Sequence, residues 1–127
     1  VRVDVRTLLA AMVALVVVAC AGDGQEQRFP DVLEVELERT GDAYRVSATI
    51  SSPYDSPDRY ADAFRVLAPD GTVLGVRELL HDHAGEQPFT RSLDDVAIPA
   101  DVREVTVEGR DRANGWGGGT RTVEVPS

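Results

Sequence analysis

A chain of 127 residues with 43 % hydrophobic residues is long enough for one domain with its own core. Its formal net charge of −9 repels polyphosphate and anionic headgroups, which argues against nucleic acid as a partner. All 13 basic residues are arginine, which reads as coding bias and not as a binding signal.

The chain opens on a short basic stretch, Arg2 and Arg6, weakened by Asp4. An unbroken apolar run follows from Leu8 to Ala19. A spanning helix needs roughly 18 to 20 apolar residues, so the run is too short to cross a bilayer. A basic start, a short apolar middle and small residues before a cut form the pattern of a signal peptide over residues 1–19. Cys20, the one cysteine, comes next. The string Val17-Val18-Ala19-Cys20 resembles the lipobox of bacterial lipoproteins. The resemblance implies that a peptidase cuts before Cys20 and that its thiol carries a diacylglyceryl group. Palmitate label is then expected on Cys20, and the chain is expected outside the cytoplasm, anchored by lipid to the cell membrane or outer membrane. Two acyl chains hold a protein stably where one does not. The alternatives are an ordinary signal peptide with a chance cysteine, or a buried thiol. The remaining 108 residues carry 11 Arg and 21 acids, a net of −10.

Residues 20–30 are polar and aperiodic and read as a lipid-anchored tether. Residues 31–127 read as the domain. Leu33, Val35 and Leu37 alternate with glutamates, as a half-buried strand does. Arg39 to Asp42 turns, and Tyr44, Val46, Ala48 and Ile50 complete a hairpin. Ser51 to Arg59 is a loop. Strands are expected over 60–67 and 72–80, split by the Pro69-Asp70-Gly71 turn, although Glu78-Leu79-Leu80 also suits a short helix. After a polar loop, His81 to Gln87, strands follow over 88–93, 102–110 and 120–125. The glycine-rich segment 111–119 is expected to be a loop. About seven strands, with turns roughly every 8 to 12 residues, predict an all-β fold, a single antiparallel β-sandwich. From Phe89 onward, Leu93, Ile98-Pro99, the alternating Val105 and Val107 and the glycine-rich hairpin resemble fibronectin type III and related immunoglobulin-like domains. That implies an immunoglobulin-like sandwich and no activity. The segment from His81 to Arg91 and Gly115-Trp116-Gly117-Gly118 are also similar to small exported bacterial proteins of uncharacterised function.

If successive strands alternate in direction, the loops at 51–59, 81–87 and 111–119 share one end. They hold Tyr54, Asp55, Asp58, Arg112, Asn114 and Trp116, the candidate ligand-binding residues. His81 and His83 are the only histidines, and a spacing of two puts both rings on one side of an extended segment. They could chelate copper or zinc with Glu86, Asp55 or Asp58 as a third ligand, or they could cap backbone in a solvated loop. Trp116 could anchor a partner or fold back over the core. Arg77, Arg91 and Glu86 could form ion pairs that order the histidine loop. No serine lies in Gly-x-Ser-x-Gly and no calcium or phosphate loop is present, so the expected role is non-catalytic: a membrane-tethered module binding an unknown protein or small ligand, with no cofactor unless copper or zinc.

Overall fold

The computed structural model describes residues 27–127. The expected signal peptide, Cys20 and positions 21–26 lie outside the described residues. Seven strands run in order: β1 (Asp31–Thr40), β2 (Ala43–Ser51), β3 (Ala61–Leu67), β4 (Val73–Glu78), β5 (Phe89–Val96), β6 (Glu104–Asp111) and β7 (Gly115–Glu124). They form a three-stranded sheet, β1-β2-β5, and a four-stranded sheet, β4-β3-β6-β7. Every paired neighbour is antiparallel. No helix occurs among the described residues. At the end of β4, Leu79 enters the core and Leu80 is 83 % exposed.

The core follows from period-two alternation. Val46, Ala48 and Ile50 of β2 meet Phe64 and Val66 of β3 and Val105 and Val107 of β6, all nearly or wholly buried. Each buried Val, Ile or Phe side chain contributes roughly 1.5–3 kcal/mol of transfer free energy. The outer faces carry polar ladders: Ser47 with Ser92, Thr49 with Thr90 and Thr106 with Thr122, each pair hydroxyl to hydroxyl at 2.7–2.8 Å.

Two local readings change. The alternation in β1 slips at a bulge between Val32 and Glu34. Val32 takes the inward slot, and Leu33, expected inward, is 39 % exposed. The second change is larger. The glycine-rich segment is not a loop beyond Asn114: Gly115 to Gly119 belongs to β7, and the connection is only Arg112-Ala113-Asn114. The glycines pair in the sheet because chain is packed on top of them. The ring of Phe29 covers Gly117 so closely that an added Cβ would sit 2.7 Å from it, and a Cβ added to Gly109 would sit 2.6 Å from Pro30. Gly118, at φ +86°, lies against the Pro30 carbonyl, where a Cβ would overlap it. The Gly119 amide donates to Asp31 Oδ1 at 2.7 Å. The run is a saddle over which the chain enters the domain.

Residues 27–30, read as the end of the tether, are thus packed on the fold. Pro30 is fully buried. Gln27 donates to the Ser51 carbonyl at 3.0 Å, and the Arg28 carbonyl accepts from Arg59 at 2.7 Å and from Asn114 at 3.1 Å.

Gly118→Ala is expected to cost about 2–4 kcal/mol, because the left-handed backbone penalty adds to a clash with fixed backbone. Gly41→Ala, at φ +69° in an open turn, should cost only about 1 kcal/mol. Urea unfolding of the two variants measures the difference.

Candidate functional site

Strand register fixes which loops share an end. Residue 31, the 52–60 connection, the 79–88 connection and the 112–114 turn lie together, because Asp31 pairs with Ser51, Ile50 with Phe89 and Asp111 with both Ala61 and Gly115. This is also the end at which the chain enters. Most of the candidate polar groups here are occupied in holding the loops to one another.

Asp55 is buried. It accepts the Ala61 amide at 3.1 Å and the His83 amide at 2.9 Å, and so ties the first loop to the second. Gln87 closes the same junction by accepting the Ser52 amide at 2.7 Å and donating to the His83 carbonyl at 3.0 Å. Asp111, fully buried at the end of β6, takes the Arg59 Nε–H on both oxygens at 3.2 Å and the amides of Ala113 and Asn114 at 3.0 and 2.8 Å. The Tyr54 hydroxyl is buried beside this carboxylate without a hydrogen bond of good geometry, and the Arg59 guanidinium lies 4.2 Å over its ring. Burial first, and the Asp111 carboxylate second, push the Tyr54 phenol far above the ordinary tyrosine pKa. Burial opposes ionisation of Asp111. The Tyr54 hydroxyl, the Asn114 amide and Arg59 outweigh it and hold the carboxyl below its ordinary value. Asp58 is exposed, and the Arg112 guanidinium rests 5.3 Å from the Tyr60 ring.

Trp116 lies in a strand, not in a loop. It pairs with Arg110, and its ring takes the guanidinium of Arg65 at 4.1 Å and that of Arg110 at 5.1 Å. Both arginines are held by carboxylates: Arg65 by Glu108 at 2.6 Å, and Arg110 by Asp62 at 2.7 Å and Glu78 at 3.0 Å. The indole therefore caps a charged lattice on the outer face of the four-stranded sheet. It neither covers the core nor stands in a loop.

The two histidines do come together. Their ring centroids are 5.0 Å apart, and the His83 ring stacks on Phe89 at 3.9 Å and 8°. His83 is 5 % exposed, and neither of its ring nitrogens has a partner. Glu86 pairs with Arg91 at 3.1 Å, and Asp55 is engaged by amides. Among the described residues no three His, Cys, Asp or Glu side chains are grouped to hold a metal ion. Burial first, then the cation of Arg91, lowers the His83 pKa below its ordinary 6.5.

Arg77 and Arg91 matter more here than the sequence reading allowed. Both start on the inner faces of their sheets, since Arg77 pairs with buried Phe64 and Arg91 with buried Ala48. The signal was in the pattern: Arg77 stands two residues from Gly75 and two from Leu79, and Arg91 two from Phe89 and two from Leu93. Buried Asp111 left the same trace, since it stands in phase with the inward Val105, Val107 and Gly109 of β6.

No protein-family model matches the chain. A protein of Halomicrobium mukohataei named "Putative lipoprotein" is 38 % identical over 101 residues, which are 79 % of this chain and 49 % of that relative. The chain thus spans about half the length of the curated relative it matches. A hypothetical protein from Pyrococcus horikoshii is similar in structure, with TM-score 0.50 and 12 % identity over 81 % of this chain and 93 % of that one. A superoxide reductase (1Fe-SOR) from Giardia intestinalis gives TM-score 0.47 and 12 % identity over 75 % and 99 %. At such identity the first likeness concerns the fold alone, and the second is looser still.

Asp111→Asn, which leaves Arg59 without a counter-ion, should cost about 2–4 kcal/mol in urea unfolding. The His83 pKa is lower folded than unfolded, so the unfolded chain binds more protons as pH falls through 6.5. The contribution of His83 is complete above that pH and declines below it, until pH passes the folded value. The urea midpoint of wild type should therefore drop from pH 7.5 to pH 5, and His83→Phe, which keeps an aromatic ring on Phe89, should flatten that drop.

Proposed function

We propose that this chain is a lipid-anchored, extracytoplasmic binding module that performs no catalysis itself. The observation that carries the reading is Val17-Val18-Ala19-Cys20 placed after a short apolar run and seven residues before Gln27, which is held to the Ser51 carbonyl. The name of the 38 % identical relative supports the lipoprotein part of it. The strand order, three plus four, fits an immunoglobulin-like sandwich that works through its end loops. The carboxylates best placed for chemistry, Asp55 and Asp111, accept backbone amides and act as loop posts.

The anchor also orients the module. Seven residues reach at most about 25 Å fully extended, less than the roughly 34 Å of a ten-residue strand. The histidine-loop end therefore faces the membrane. The opposite end, with the 41–42, 68–72 and 97–103 connections, faces away and is open to large partners.

The full chain expressed in a prokaryotic host that exports it should partition into detergent. Its intact mass should equal residues 20–127 plus lipid. Cys20→Ser should instead accumulate as the uncleaved precursor, with the mass of the full chain and no lipid. A water-soluble product that keeps residues 1–19 and an unmodified Cys20 would overturn the reading.

A further inference from the structure

The two seams between the sheets are unlike. Along one, β1 lies closely beside β7, under the entering segment; along the other, β4 and β5 touch over a much shorter stretch. On this second seam Gly75 faces Leu93, where an added Cβ would fall 2.8 Å from the leucine. Toward the tether end the seam opens into a groove of about 380 Å³, lined chiefly by Arg77, Arg91, His81, His83, Leu79 and Leu80. Glu78 also borders it, but is paired with Arg110.

Charge pointing inward on an edge strand discourages unwanted strand addition, which would account for an arginine here. It does not account for the missing partners. Arg59, Arg65, Arg91 and Arg110 are partly buried, and each pairs with a carboxylate. Arg77 is also partly buried and pairs with none among the described residues. Its guanidinium makes one hydrogen bond, from Nη1 to the Ser92 carbonyl at 3.1 Å, and its Nε is buried without a partner. The nearby His83 ring, 95 % buried, has two more nitrogens in that state. Orphaned buried donors are costly, roughly 1–3 kcal/mol each, and native structures leave few of them. Residues 27–127 hold 19 acids against 11 arginines, so an inward guanidinium without a carboxylate is not forced by any shortage of acids.

We propose that this groove binds the carboxylate of a small organic acid, with Arg77 as its counter-ion, a His83 ring N–H as a second donor and Leu79 and Leu80 against its apolar part. Arginine suits a carboxylate because its fork of N–H groups matches two oxygens. Neutral imidazole keeps one N–H to give. The exposed His81 ring lies 5.0 Å from that of His83 and has to move for a ligand to reach the buried nitrogens. The ligand class rests on the reading of the domain as a binding module and not on the lipid anchor.

The test uses the full chain carrying Cys20→Ser in amphipol, so the outcome is independent of lipidation. Hexanoate is titrated while the ring protons of the histidines and the arginine Nε–H signals are followed by NMR. Saturating shifts are expected at His83 and Arg77. Arg77→Gln should weaken binding about tenfold or more, as loss of a charged hydrogen bond does. His83→Phe, which keeps the stack on Phe89, should weaken it too, and provides the reading if Arg77→Gln does not fold. Arg112→Gln, at the same end but outside the groove, should bind as wild type does. Absence of saturation, equal affinity in the Arg77 and His83 variants, or matching shifts from hexanol or chloride would each overturn the proposal.

Discussion

Asp111 is closed off from solvent, yet it is surrounded by donors: an arginine side chain and two turn amides, with the Tyr54 phenol beside them. A buried carboxylate is tolerable only if such partners are complete, and here they come from two separate connections, 52–60 and 112–114. The amides shape the 112–114 turn. Arg59 brings the first long loop across, and through the Arg28 carbonyl it also holds the segment that enters the domain. The β6–β7 side of this end of the sandwich is arranged around this one charge.

Asp55 repeats the device one loop further on. It accepts amides from Ala61 and His83, and that fixes where the His83 ring lies. The two posts divide the work: Asp111 closes the β6–β7 side with the incoming chain, and Asp55 positions the histidine loop beside β4 and β5. The result is a molecule with one sealed seam and one open one. On the sealed side, proline and phenylalanine fill the space that glycines vacate. On the open side, two inward arginines keep the sheets from packing as tightly, and the groove follows.

The strands were largely legible. Val46, Ala48 and Ile50, or Val105 and Val107, announce a sheet face because burial on one side selects apolar residues at every second position. The sharing of one end by the three loops was legible as well, since alternate connections of antiparallel strands must fall together. The bulge at Leu33 was not, because Val32-Leu33 offers two apolar candidates for one inward slot. The glycine run misled because glycine usually marks a turn. Here it marks a close approach by Phe29 and Pro30, residues more than 80 positions away. Trp116 went the same way: placed in a loop, it had only lid or anchor as roles, whereas in a strand it meets Arg65 and Arg110 across the sheet.

The sequence by itself determined the class of fold and the location of its turns, since alternation and turn chemistry are local properties. It also held the pattern at Cys20 on which the anchoring proposal stands. Which partners the inward charges meet, which arginine lacks one, and where the entering chain lies were decided only by tertiary structure. Those outcomes depend on which distant side chains converge on one volume, and no local pattern of residues encodes that meeting.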